Sequence, residues 1–236
     1  ILDIGSNDGT FLSFFSKKFN LFGCDPTIKK FKKYYRKDIN QIENFFSADL
    51  FKNIKFSLIT SISMFYDLPK PLEFAKQIFS ILKNNGIWHI ELSYMPMMIK
   101  NTSYDTICHE HLEYYSSKII IELMKKNKLR VFDIKNSKIN GGSTRYFIAH
   151  DNSKHNTKIK KILKILKEEK KFQLEKKETF LRFFMKINFI KKKIMSLLNE
   201  IVKNKKTVHG YGASTKGNVL LQYFDIDSKY LSYIAE

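Results

Sequence analysis

Between Tyr104 and Ser116 the chain reads Tyr-Asp-Thr-Ile-Cys-His-Glu-His-Leu-Glu-Tyr-Tyr-Ser. Two histidines (His109, His111), two glutamates (Glu110, Glu113) and three tyrosines (Tyr104, Tyr114, Tyr115) fall in that span. A packed helix or strand has little use for so many proton-carrying groups. A site that removes and returns a proton needs them close together. Alternate histidines share a face of an extended segment, so His109 and His111 with Glu113 also admit a metal reading. Yet the chain has only Cys24 and Cys108, neither at ligand spacing. Acid–base chemistry is the reading we favour over a metal site or a purely structural one.

A second concentration opens the chain, Ile1-Leu-Asp-Ile-Gly-Ser-Asn-Asp-Gly9. Gly5 lets the backbone turn where a strand ends, and Gly9 permits close approach at a helix start. The spacing is not the Gly-x-Gly-x-x-Gly dinucleotide fingerprint. Asp25 ends the next apolar run, where an acid can hold a ribose diol. Asp49 ends a third extended run, at the place of an adenine-recognising acid. This ordered series points to a class I S-adenosylmethionine (SAM) fold. It makes Asp3, Gly5, Ser6, Asn7, Gly9, Asp25, Asp49 and Ser61 the cofactor-binding candidates. Near the other end, Gly210-Tyr-Gly-Ala-Ser-Thr-Lys-Gly217 is suited to a substrate phosphate, received by backbone N–H groups at a helix start with Ser214, Thr215 and Lys216 as further donors. It is not a P-loop, because Lys216 precedes its glycine, and a tight packing turn is the competing reading. His209 reads as packed, His150 and His155 as surface residues, and Cys24 as core.

These groups need elements to position them. Residues 1–5 predict a buried strand, Thr10–Phe19 a helix, Leu21–Asp25 a strand, Tyr34–Asn40 a helix and Asn44–Leu50 a short extended piece. Lys55–Thr60 follows as a core strand. Apolar residues at Leu72, Ala75, Ile78, Phe79 and Leu82 predict a helix over Pro71–Lys83, ended by Asn84-Asn85-Gly86. Ile87–Leu92 reads as a strand and Ser116–Asn127 as a helix. Leu129–Ile134 and Thr144–His150 read as an antiparallel pair around Asn140-Gly141-Gly142. Residues 154–204 predict two amphipathic helices with one break. Thr207–Gly212 starts a new strand–turn–helix running to about Phe224, with a strand from Tyr230.

The expected fold class is therefore α/β. Residues 1–152 form a Rossmann-like SAM-binding domain, 153–206 a helical connector, and 207–236 the beginning of a second Rossmann-like α/β domain that binds substrate. The chain begins and stops inside strand patterns, so we expect a piece of a longer protein at both ends.

Composition narrows the class. With 43% hydrophobic and 14% aromatic residues in 236, the chain can build a core. No apolar run reaches the roughly 18 residues of a membrane span, no signal pattern is present, and the two cysteines fit a reducing, cytoplasmic setting. The net charge of +19 raises nucleic acid as a partner. Residues 151–206 carry 18 Lys/Arg against 6 Asp/Glu, but Arg182 is the one arginine there. Solvated helix faces explain this better, and a nucleic-acid partner is not expected.

Taken together, Asp3–Gly9, Tyr104–Tyr115, Gly141-Gly-Ser-Thr-Arg145 and Gly210–Asn218 resemble the successive landmarks of the SAM-dependent nucleotide-sugar C-methyltransferases. That family acts on 4-keto-6-deoxy sugar nucleotides in deoxysugar and surface-glycan biosynthesis. The resemblance implies SAM as cofactor, a nucleotide sugar as substrate, and an upstream zinc module with paired cysteines that these residues do not include. Zinc is expected only there, with no metal site within this chain.

The resemblance also implies His111 as general base with Glu110 as its neighbouring acid. Tyr66 takes the place of the histidine in the family's Asn-Val-x-Ala-His segment, here Ile62-Ser-Met-Phe-Tyr66. Cys108 stands where the family often has tyrosine. His109, Tyr114, Gly142, Ser143, Arg145, Tyr211, Gly212, Ser214, Thr215, Lys216 and Asn218 are the implied substrate contacts. His111 would take the C3 proton of the keto sugar while Tyr66 or His109 holds the enolate. Competing readings are an O- or N-methyltransferase of another small molecule, an RNA-binding or RNA-modifying protein, and a noncatalytic scaffold. The nucleotide (dTDP, GDP or CDP), the methylated carbon and the oligomeric state stay open.

Overall fold

The structure, a computed structural model, describes residues 1–212 and 214–235, the side chain of Asn140 excepted. Ala213 of the second glycine run and the terminal Glu236 therefore lie outside the described residues. The chain forms two compact units, one of residues 1–94 and 112–169, the other of 95–111 and 170–236.

The first unit is built on β1 (Leu2–Ile4), β2 (Leu21–Cys24), β3 (Ile39–Ile42), β4 (Phe56–Ile62), β5 (Leu82–Ser93), β6 (Leu129–Ser137) and β7 (Ser143–His150). They form one sheet in the order β3-β2-β1-β4-β5-β7-β6, with β7 antiparallel to both its neighbours and the other pairings parallel. This is the class I SAM-methyltransferase arrangement. Parallel strands are covered on both faces and read as unbroken apolar runs, and β1 is buried at all three positions. The helices are α1 (Thr10–Ser13), α2 (Ile28–Phe31), α3 (Pro71–Ile81), α5 (Ser117–Lys126) and α6 (Ile159–Lys170). Trp88, Phe65 and Phe74 pack edge-on or tilted in the core, and Trp88 Nε1 donates to Ser61 Oγ at 3.1 Å. Burying each such ring stabilises by about 1.5–3 kcal/mol. Ile162 and Ile165 of α6 belong to this same core.

Several local expectations needed correction. The helix expected over Thr10–Phe19 stops at Ser13, because the Arg36 guanidinium takes the Ser13 and Phe15 carbonyls that a longer helix would use. Tyr34–Asn40 is not a helix. Tyr35 is already extended, and Ile39–Ile42 pairs with β2 instead. Asn44–Leu50 forms no strand, and Ala48–Phe51 is a 3-10 turn. The helix from Pro71 gives way at Leu82, which pairs with Phe56. Gly86 then passes so close to β4 that an added Cβ would lie 2.8 Å from the Phe56 carbonyl oxygen. His150 is buried rather than on the surface, bonded through Nε2 to the Leu82 carbonyl at 3.1 Å.

The second unit holds α4 (Met95–Asn101), a 3-10 turn at Tyr104–Thr106, α7 (Lys177–Lys203), and the parallel unit β8 (Val208–Tyr211), α8 (Thr215–Phe224) and β9 (Leu231–Ala235). Its core is Tyr104, Phe183, Ile187 and Phe224, with Tyr104 stacked on Phe224 at 5.6 Å. Phe183, Ile187, Ile190 and Ile194 recur at helical spacing along one face of α7. Lys191 of α7 donates to the Tyr223 carbonyl and to Asp225, both at 2.7 Å. It thereby closes the C-terminal end of α8, where a cation is favoured. No described helix is long and apolar enough to cross a membrane.

Candidate active site

In open α/β sheets ligands bind beyond the carboxyl ends of the strands. The loop after β1 lies at that end. Gly5, Asn7 and Gly9 all take positive φ there (78°, 46° and 74°), so the backbone folds into a tight cradle. Asn7 N–H donates to Asp25 Oδ2 at 3.0 Å, while Thr27 N–H and Oγ1 donate to Oδ1 at 2.7 and 2.5 Å. Asp25 thus has three of roughly four acceptor positions filled and keeps capacity for a hydroxyl. Ser6 Oγ bonds the Tyr35 hydroxyl at 2.8 Å, and that hydroxyl donates to the Asn7 carbonyl at 3.0 Å. Tyr35 also explains Gly9, where an added Cβ would meet its ring at 2.7 Å. The close approach at this glycine is to the protein's own tyrosine.

Asp3, on β1, is buried and accepts the Thr60 hydroxyl at 2.5 Å. Burial raises its carboxyl to about 7. The Thr60 bond opposes that shift and the neighbouring Asp25 charge adds to it. Between about pH 4 and 7 the folded chain therefore holds a proton that the unfolded chain releases. Stability must fall as pH rises through that window. From the ordinary 3.8 to about 7 the contribution is about 4 kcal/mol. Asp3→Asn should flatten that slope, gaining on the parent between pH 5 and 8 in thermal melts. Parallel melting curves would refute it.

Asp49 does not end a strand. It is exposed within the 48–51 turn, its N–H bonded to Ser47 Oγ, because β3 has already ended at Ile42. Ser61 is fully buried and engaged by Trp88. Tyr66 is half-buried in a 3-10 turn after β4, and its carbonyl accepts Glu113 N–H at 3.0 Å. Tyr114 is half-buried, and Gly142 has φ 126° at the start of β7. Beside them stands a residue sequence reasoning missed. Glu91 of β5 accepts Ser143 Oγ at 2.6 Å and Arg145 Nε at 2.8 Å. Its signal was a lone acid inside an apolar strand.

The proton-handling segment lies in the second unit as far as His111. His111 Nδ1 lies 2.8 Å from the Thr106 carbonyl. A carbonyl only accepts, so Nδ1 carries the proton and Nε2 the basic lone pair of the neutral ring. Glu110 is held below the usual carboxylate range by the Cys108 thiol, with the imidazoles of His109 and His111 contributing. Burial and the Glu110 bond push the Cys108 thiol up. Cys108 therefore serves Glu110 as a neutral donor. His109 is exposed, its Nε2 3.5 Å from Glu110 Oε1.

The 104–106 turn packs in the same core as α8. Lys216 Nζ lies 4.0 Å from Asp105, and Ser214 caps α8 by accepting Gly217 N–H at 3.3 Å. Gly212 has φ 113° with nothing within 4 Å of where a Cβ would sit. Its conformation demands glycine and its packing does not. Tyr211 is 93% exposed, and Thr215 and Asn218 sit in the first turn of α8. His209 stacks on Tyr233 at 4.1 Å. Among the described residues no three His, Cys, Asp or Glu are grouped to hold a metal.

Residues 1–133 match the family described as "Methyltransferase domain", and residues 138–236 the "C-methyltransferase C-terminal domain". The C-methyltransferase NovU of Streptomyces niveus is 27% identical over 94% of this chain and 54% of its own length. The chain thus spans about half of that relative. Among solved structures, LepI in complex with SAM superposes with TM-score 0.51 at 13% identity, covering 63% of this chain and 42% of LepI. A chain from the complex of the Haloferax volcanii Trm112 methyltransferase activator with a methyltransferase gives 0.52 at 14%, covering 63% and 80%. At such identities these structures speak for the fold.

Proposed function

We propose, from the premise that this chain belongs to the methyltransferase family, that it serves in methylating carbon, next to the ketone of a nucleotide-linked 4-keto-6-deoxy sugar. The glycine cradle fits SAM. Gly5, Asn7 and Gly9 all take positive φ and fold the loop after β1 into a tight turn, and Asp25 retains acceptor capacity for ribose hydroxyls. When bound, SAM supplies an electrophilic methyl group.

The observation that carries the reading is the Nδ1 bond of His111 to the Thr106 carbonyl. It fixes Nε2 as the nitrogen that can accept a proton. A hydrogen beside a ketone is acidic enough for an imidazole to remove if the developing oxyanion is held. The donor assigned to that oxygen is Tyr66 or His109. Glu110, held below the usual carboxylate range, is the acid assigned beside that base. The match to the C-methyltransferase C-terminal domain supports carbon as the acceptor atom. Ser214, Thr215, Lys216 and Asn218 at the start of α8 are assigned to the substrate's phosphates.

The test is proton exchange. Incubated in D2O with dTDP-, GDP- and CDP-linked 4-keto-6-deoxy sugars and no SAM, the chain should introduce deuterium at C3 of one of them. Adding SAM should then yield a product heavier by one methyl group. Methylation without prior exchange would point to oxygen or nitrogen as the acceptor and overturn the reading.

A further inference from the structure

The Glu91 cluster has no part in the steps above, yet it is built into the same end of the sheet. Glu91 is near the carboxyl end of β5, and Ser143 and Arg145 open the antiparallel β7. In register Glu91 faces Arg145, which faces Lys135 on β6. Side chains directly opposite one another share a face of the sheet. One rung therefore carries two cations and one carboxylate. Glu91 is the buried member, its side chain 11% exposed against 38% for Arg145. It uses Oε1 for the Ser143 hydroxyl and Oε2 for Arg145 Nε.

A buried ion pair is weak evidence of stabilisation, because desolvating both charges offsets their attraction. Its geometry is more telling. The bond occupies Nε, the inner nitrogen, and the remaining edge of the guanidinium is the planar fork that matches phosphate or carboxylate oxygens. Lys135 beside it leaves the rung with net positive charge.

We propose that Arg145 receives a phosphate oxygen of the acceptor's diphosphate, and that Glu91, backed by Ser143, is the positioning residue that fixes the angle of the fork. The assignment rests on the nucleotide-sugar reading above. It makes Glu91 a determinant of acceptor affinity with no hand in the chemistry.

Calorimetric titration of the purified chain with dTDP, GDP and CDP tests it. The parent should bind one of the three. Arg145→Met should weaken that binding by about 30-fold and Glu91→Gln by about tenfold, the range expected for hydrogen bonds to charged groups. Both variants should keep the parent's affinity for SAM. In turnover Glu91→Gln should raise the acceptor KM with kcat within about twofold, since uniform binding is what it removes. If neither variant loses nucleotide affinity while the parent binds, Arg145 is not a phosphate receptor. Should Glu91→Gln lose SAM affinity equally, its role is structural. Failure of the parent to bind any of the three overturns the nucleotide-sugar reading itself.

Discussion

His111→Asn should lower methyl transfer by about a thousandfold, within the usual contribution of a positioned general base, and leave SAM affinity within twofold of the parent. Asparagine is chosen because its side-chain NH2 can reach roughly where Nδ1 now sits, preserving the bond to the Thr106 carbonyl. What disappears is the second nitrogen. The variant should therefore fold, pack its 104–106 turn against the core of the second unit, and bind both substrates without exchanging the C3 proton. Deuterium incorporation and methyl transfer must fall together if one base serves both. Undiminished methylation would remove His111 from the mechanism. Loss of methylation with exchange intact would place its role after proton removal.

The largest effect on stability is expected at Glu169, which no motif singles out. This carboxylate is 5% exposed and accepts three bonds, from the Tyr94 hydroxyl at 2.8 Å and from the Ser117 and Lys118 N–H groups at 2.7 and 2.9 Å. The last two are orphan donors of the first turn of α5, where the helix dipole also favours an anion. Burial and the nearby carboxylate push the Tyr94 hydroxyl above its ordinary range, which keeps it protonated as a donor. Glu169→Ala strands all three donors in a dry interior and should cost roughly 3–5 kcal/mol. Glu169→Gln keeps one acceptor oxygen and should fall between. A melting temperature within a degree of the parent for the alanine variant would show that water replaces the carboxylate at little cost.

How much of this was legible in the chain depends on how far a residue's reason lies from it. The cradle was readable because Gly5 and Gly9 take positive φ within one short local turn. Ser116 and α5 were readable for the same reason, with a capping hydroxyl followed by helical periodicity. The antiparallel pair β6–β7 followed from two alternating runs around a glycine turn. By contrast, the stretch 34–42 misleads because Tyr35 is held extended beneath Gly9, far back in the chain. Ile39–Ile42 is a strand carrying polar Asn40 and Gln41 because it lies at the sheet edge. Once that strand is placed, Asp49 can no longer end one. Glu91 showed only as a lone acid because its partners come from β7, and His150 read as a surface residue because its burial is decided by the Leu82 carbonyl.

The passage of the chain between its two units bears on how such proteins could be recombined. Sequence alone places a domain boundary after residue 152. The compact units do not divide there. The excursion 95–111, with His111 at its end, is packed with residues 170–236. A crossover at 152 would carry Tyr104 and His111 away from the Phe183 and Phe224 partners that hold the segment. Exchange of the second unit as a working part requires two grafts, the excursion and the C-terminal stretch, moved together.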